Sequence, residues 1–196
     1  DTITVNFGVT DGGSPGMRLE TFCEESFEFR TVVDPIATFN YQPLPEQPVI
    51  KIVPGKPSHY VAVVPTLRRV NEDFALKLKG EDKWGNPSDQ GDVTYRLNSN
   101  VPVNNLPETV TFTPGEFAVE VPGLSVGQAG DVEIELLDDA GEVITRANPL
   151  RIAQQAALIP FWADLHGQSE ESIGTGSADE YFAFARDRAF VDATGS

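Results

Sequence analysis

Apolar and polar residues alternate in short segments along most of the chain. Between residues 49 and 153, seven such segments are separated by turns rich in Gly, Pro, Asn and Asp. Their apolar positions are Val61/Val63, Phe74/Leu76/Leu78, Val93/Tyr95/Leu97, Val110/Phe112, Phe117/Val119/Val121, Val132/Ile134/Leu136 and Leu150/Ile152. Alternation with a period of two is typical of half-buried strands. Seven short strands within about 100 residues predict an antiparallel β-sandwich with immunoglobulin-like architecture.

The first 48 residues predict β structure without a core of its own. Ile3, Val5 and Phe7 alternate in one predicted strand, and Phe27 and Phe29 lie in a second. Two strands do not form an independent core. We therefore interpret residues 1–48 as the remainder of a β-domain or an addition to one, and residues 49–155 as the sandwich.

The pattern changes near residue 156. Residues 159–165 form an apolar segment that predicts a strand, and a glycine-containing loop follows. Ser177 and Glu180 then have the spacing of a capping box, which predicts a helix that begins there. Val191 is a candidate start of a further strand. Since strand, helix and strand is how an α/β domain begins, residues 156–196 predict an incomplete α/β domain, and the chain as a whole is mainly β.

The composition excludes several classes of partner. The net charge of −16 is spread along the chain, so it repels nucleic acid and anionic membranes. No segment approaches the roughly 18 consecutive apolar residues of a membrane span. We predict a soluble protein, and the cytoplasm, the periplasm and the cell exterior remain open. Cys23 is the only cysteine, so neither an intrachain disulfide nor a cysteine-based zinc site exists.

One pair of residues with possible metal chemistry lies in the apolar segment before the loop. Asp164 and His166 share a face if the strand is extended, and Gln168 joins them if the extension continues. A carboxylate beside an imidazole is half of a divalent-metal site. By spacing alone, however, an Asp-x-His pair is more often a surface pair or a structural hydrogen bond.

The residues around this pair resemble a known motif. Ala163-Asp164-Leu165-His166-Gly167-Gln168-Ser169 is similar to the first motif of the PHP superfamily (polymerase and histidinol phosphatase metal-dependent hydrolases), Asp-Leu-His-x-His-[Ser/Thr]. Three further blocks resemble those of a bacterial family of unknown function that has an N-terminal β region and a PHP-like domain. They are Lys51-Ile52-Val53-Pro54-Gly55, the Glu-Asp-Lys-Trp-Gly-Asn-Pro block at 81–87, and the helical segment 180–187.

The resemblance implies that His166 binds a divalent metal (Zn, Mn or Fe) in the parent protein, with Asp164 as its supporting carboxylate. Gln168 stands where that motif carries a second His, and an amide oxygen is a weaker ligand than imidazole. The other ligands of the superfamily lie further downstream, so we expect neither a metal nor catalysis from this stretch alone. The implied parent is a phosphoester-type hydrolase, and the implied partner is its downstream hydrolase domain.

Other interpretations of the chain remain open. The alternative to a hydrolase fragment is a stand-alone immunoglobulin-like binding or adhesion module of a bacterial surface or secreted protein, and a structural spacer is a third. A buried Trp84 that caps the sandwich favours the first, whereas exposed aromatic rings in a flat platform favour the second. The helix also needs an apolar surface to pack on, so we predict self-association through its aromatic residues, Tyr181, Phe182, Phe184 and Phe190.

Overall fold

The computed structural model describes residues 4–174 and 176–195. Short strands make up most of the regular structure. They are β1 (Glu24–Glu28), β2 (Val32–Val33), β3 (Gln42–Pro43), β4 (Val49–Ile52), β5 (His59–Val63), β6 (Leu67–Arg69), β7 (Phe74–Glu81), β8 (Pro87–Ser88), β9 (Val93–Ser99), β10 (Thr109–Phe112), β11 (Val119–Leu124), β12 (Gly130–Val132), β13 (Ile134–Leu137), β14 (Val143–Arg146), β15 (Leu150–Ala153), β16 (Ala163–Asp164) and β17 (Ala193–Thr194). A 3-10 turn spans Asp11–Gly13. Helix α1 spans Ala178–Phe184 and continues as a π-helical turn, Ala185–Ala189.

Two antiparallel sheets face each other across the core. One has the strand order β10-β9-β13-β14, and the other has the order β11-β7-β5, with β8 paired to β7. Aromatic rings join them: the Tyr60 ring of β5 lies 5.0 Å from the Tyr95 ring of β9 and 4.8 Å from the Phe112 ring of β10. The chain is therefore a mainly β protein with an immunoglobulin-like sandwich, as the alternating pattern predicts.

The core forms where the period-two apolar positions point inward. Phe74, Leu76 and Leu78 of β7 are buried, and Ile134 and Leu136 of β13 are buried opposite them. Burying one such side chain stabilises a fold by roughly 1.5–3 kcal/mol. The sandwich therefore has a self-sufficient core, because the alternation holds along its central strands.

One predicted strand is divided in two. The segment with Val132, Ile134 and Leu136 forms β12 and β13, which pair with β15 and β9 respectively. The break falls at Glu133, whose backbone amide donates to the Asn100 side chain at 2.8 Å instead of to a ladder. Strands β12, β15 and β6 form a third small sheet, in which β15 and β6 are parallel. The alternation of apolar and polar residues continues across the break at Glu133. The sequence therefore does not show that the two halves join different sheets.

The N-terminal segment forms small ladders beside the sandwich. Strand β1 pairs with β4, and β2 pairs with β3. Residues 4–10 form no strand, so the strand predicted at Val5 and Phe7 is absent, and Ile3 lies outside the described residues. The Phe7 ring instead stacks on Phe29, with 4.7 Å between ring centroids. Because β4 belongs to this ladder, the domain boundary at residue 48 stays a prediction.

The C-terminal segment forms a βαβ unit. Strand β16 pairs in parallel with β17, and α1 lies between them in the sequence. The capping box is present, because Ser177 Oγ accepts from the Glu180 amide and the Glu180 carboxylate accepts from the Ser177 amide. The first strand is shorter than the predicted 159–165 because only Ala193–Thr194 pairs with it, and Pro160 has no N–H to donate.

Cation–aromatic contacts fasten this unit to the sandwich. The Phe190 ring, which follows the π-helical turn, lies 5.4 Å from the Lys79 ammonium of β7. The Arg188 guanidinium lies 3.6 Å from the centroid of the Phe117 ring. Among the residues that the structure describes, no helix is both long and apolar enough to cross a membrane.

Candidate functional site

The predicted metal-binding residues lie at the exposed end of β16. The strand ends at Asp164, and His166 and Gln168 follow in an irregular loop, all three with exposed side chains. Asp164 Oδ1 accepts the backbone N–H of His166 at 2.9 Å. Gln168 Oε1 accepts the Ser172 hydroxyl at 2.5 Å. The extended geometry that would align all three side chains therefore ends at Asp164.

Neighbouring contacts fix the backbone of this loop. The Tyr181 hydroxyl donates to the carbonyl of Gly195 at 3.1 Å and pairs with the Thr194 hydroxyl. A Cβ at Gly167 would lie 1.7 Å from the Tyr181 oxygen, so only glycine fits beside this ring. The glycine after His166 is thus explained by packing against the helix.

The donor set at this strand end is too small to hold a metal alone. Within residues 4–174 and 176–195, no three His, Cys, Asp or Glu side chains cluster closely enough to bind one ion. One of the two Asp164 oxygens is already bonded to a backbone amide. The residues present therefore do not complete a zinc, manganese or iron site, and metal binding by His166 in a longer parent stays a prediction.

A second candidate site lies at the turn between β7 and β8. Asp82 is buried there, and its carboxylate accepts the backbone amides of Gly55 at 3.1 Å, Trp84 at 2.8 Å and Asn86 at 3.1 Å. The Asn86 side-chain amide also donates to Asp82 and to the Thr21 carbonyl. Burial raises the pKa of Asp82, but these hydrogen bonds lower it by more, so the pKa lies below its usual value. The carboxylate therefore stays charged and holds the turn rigid.

This turn presents Trp84 at the edge of a cleft of about 440 Å³. The indole is 46% exposed. The Arg18 guanidinium lies 5.0 Å and the Lys83 ammonium 4.9 Å from the ring. Trp84 is therefore neither the buried cap nor the open aromatic platform that the sequence offered as alternatives. It is a half-exposed ring with two cations, Arg18 and Lys83, close to it.

The sequence signalled only part of this second site. The turn residues Asp82 and Trp84 stand out by composition, but Arg18 and Lys56 do not. Both lie far from the turn in the chain and reach it through the N-terminal segment and the loop after β4. A pattern of neighbouring residues cannot predict such contacts between distant parts of the chain.

Comparisons with known proteins add little to this geometry. No protein-family model and no curated protein matches the chain. Among solved structures, the D00-D0 domain of Intimin is similar with a TM-score of 0.36 and 12% sequence identity. The match covers 55% of this chain and 56% of that chain, so it spans little more than half of either. At this level the similarity carries no argument. No family match supports the resemblance to the PHP superfamily, which remains an interpretation of the motifs.

Proposed function

We propose that the chain is a non-catalytic immunoglobulin-like binding module of a bacterial surface or secreted protein, and that it engages a protein partner through the apolar segment 158–165. The observation that carries this proposal is the exposure of large apolar side chains in that segment. Phe161, Trp162 and Leu165 are 69%, 62% and 75% exposed. Exposed apolar surface of this kind marks interaction sites in soluble proteins.

Most of the exposed large apolar side chains lie outside the sandwich. Among the described residues, only three large apolar side chains are exposed in 56–153, whereas fourteen are exposed before that segment and seven after it. The sandwich buries most of its large apolar side chains in its own core. The apolar area is therefore concentrated in the segments that flank the sandwich.

The exposed segment is also held in a fixed backbone conformation. The Trp162 amide donates to Asp192 Oδ2 at 2.8 Å, and the Trp162 carbonyl accepts the Asp192 amide at 2.9 Å. In the described part of the chain, β17 is the single neighbour of β16, so one edge of β16 is open. Parallel strands are usually buried on both faces. An ordered open edge beside apolar side chains favours a partner that adds a strand.

Site-specific photocrosslinking tests this proposal in the intact protein. A photoreactive variant, Leu165→p-benzoylphenylalanine, is expected to give one discrete crosslinked product with another protein in the source cells. The matched control is the same replacement at Val143, which is exposed on the sandwich, and it should give none. Absence of any product at position 165, or equal products at both positions, would overturn the proposal.

A second candidate function is supported by the βαβ unit. Asp164 ends the parallel strand β16 and His166 follows it, and α/β folds place their ligands at the carboxyl ends of such strands. On this view the chain is the N-terminal β-sandwich of a PHP-like hydrolase, and the photoreactive group at position 165 would crosslink within its own polypeptide. A bound metal would supply an activated water for phosphoester hydrolysis, and His166 would hold it.

Metal analysis of the full-length parent protein tests this second candidate function. His166→Ala should lower its metal content, and Gln168→His should raise its metal affinity if residue 168 occupies a ligand position. The readout is metal stoichiometry by mass spectrometry together with hydrolysis of a simple phosphoester. Unchanged metal content in His166→Ala would exclude His166 as a ligand.

A further inference from the structure

We propose that the cleft beside Trp84 binds an acidic oligosaccharide, one that carries uronate carboxylates. This site lies outside the apolar segment 158–165 and does not depend on it. The cleft has a volume of about 440 Å³, within the roughly 300–1,000 Å³ typical of ligand pockets. Its lining includes Leu19, Thr21, Lys56, Ser58, Lys83 and Trp84.

The cleft combines an aromatic ring with unpaired cations. Lys83 and Arg18 lie near the Trp84 ring, and Lys56 lines the cleft. All three are exposed, and within the described residues none of them forms an ion pair. Their charges are therefore available to a ligand. An indole supplies a flat apolar surface for the C–H face of a sugar ring, and the cations supply partners for its carboxylates.

The cleft is less acidic than the chain as a whole. The net charge of the protein is −16, whereas the cleft is lined by two lysines, Lys56 and Lys83, and two carboxylates, Glu20 and Asp82. The Arg18 guanidinium lies beside the Trp84 ring and adds a third cation near the cleft. The Asp82 carboxylate is turned toward three backbone amides and the Asn86 side chain. An anionic ligand that approaches this acidic protein therefore meets a positive charge only where such cations cluster.

The turn that presents the ring is preorganised. The backbone amides of Trp84 and Asn86 are bonded to Asp82, and the Ser88 hydroxyl donates to the Gly55 carbonyl at 2.6 Å. Because these bonds use the backbone and not the indole, a change of the Trp84 side chain leaves them in place. A rigid ring lowers the entropy cost of binding.

The two tryptophans of the chain allow a direct measurement. Trp162→Phe leaves Trp84 as the single tryptophan, so its emission reports the cleft alone. Titration with trigalacturonate is expected to change this emission saturably, with a dissociation constant below about 1 mM. Galactotriose, the neutral counterpart, and tri-aspartate, a peptide of matching charge, should each bind at least tenfold more weakly.

Variants assign the interaction to named side chains. In the Trp162→Phe background, the double substitution Arg18→Ala and Lys83→Ala should weaken trigalacturonate binding at least tenfold. Arg151→Ala removes a cation that pairs with Asp131 on the sandwich, and it should leave binding unchanged. Calorimetry with Trp84→Ala, which keeps the backbone bonds of the turn, should show no binding. The proposal is overturned if trigalacturonate gives no saturable signal, or if tri-aspartate or galactotriose binds equally well. Neither result bears on crosslinking at Leu165.

Discussion

The Asp82 carboxylate accepts the backbone amide of Gly55, which lies 27 residues earlier in the chain, at a distance of 3.1 Å. This bond joins two blocks, residues 51–55 and 81–87, that are separate in the sequence. A second hydrogen bond at the same place runs from the Ser88 hydroxyl to the Gly55 carbonyl. The two blocks therefore form one structural unit that supports the turn of Trp84.

Asp82→Asn should destabilise the fold by about 1–3 kcal/mol. The substitution keeps the shape of the side chain but replaces one acceptor oxygen with an NH₂ group, so buried amides lose their partner. Urea unfolding measures the change in the free energy of unfolding. Asp139→Asn is the matched control, because Asp139 is exposed, and surface changes of this kind stay within about 0.5 kcal/mol. Equal stability of the two variants would contradict the role assigned to Asp82.

The stabilising effect of Asp82 should disappear in acid. Its pKa in the folded protein lies below its usual value, because hydrogen bonds outweigh burial. The contribution is therefore fully present above the unfolded pKa of about 3.9 and is lost as the pH falls through the folded pKa. The difference in free energy of unfolding between the wild type and Asp82→Asn should shrink below about pH 4. Parallel pH profiles would show that the carboxylate titrates normally.

Local patterns predicted the sandwich and the C-terminal helix. Alternation in β7 and β9 depends on neighbouring residues, and the capping box at Ser177 spans three positions, so both can be recognised in the sequence. The division of one predicted strand at Glu133 cannot be recognised in the sequence, because it depends on which sheet each half of the strand joins.

The candidate sites could be predicted less well than the fold, because their geometry depends on more than patterns of neighbouring residues. The apolar segment before Asp164 places that residue correctly at a strand end, but its bond to the His166 amide depends on the turn that follows. The meeting of Arg18 with Trp84 requires the path of the whole N-terminal segment. A local turn thus decided the geometry at Asp164, whereas a contact between residues distant in the sequence decided the surroundings of Trp84.

Gly91→Ala should destabilise the sandwich by about 1–3 kcal/mol. A Cβ at this buried position would lie 2.9 Å from Cβ of Phe112, a core residue that cannot move away without disturbing its neighbours. Thermal and urea unfolding both measure the effect. Gly127→Ala is the control, because the nearest atom to its added Cβ is Asn71 Oδ1 at 3.7 Å. Loss of the same stability in both variants would indicate a backbone effect rather than overpacking.

Ser177→Ala should loosen the C-terminal helix without loosening the sandwich. It removes the hydroxyl that accepts the Glu180 amide, a cap worth about 1 kcal/mol. If the βαβ unit opens separately from the core, hydrogen exchange of the α1 amides should accelerate about fivefold, while exchange in β7 stays unchanged. Ser177→Thr keeps the hydroxyl and should exchange like the wild type. Equal acceleration in α1 and β7 would mean that the contacts of Arg188 and Phe190 make the two parts unfold as one unit.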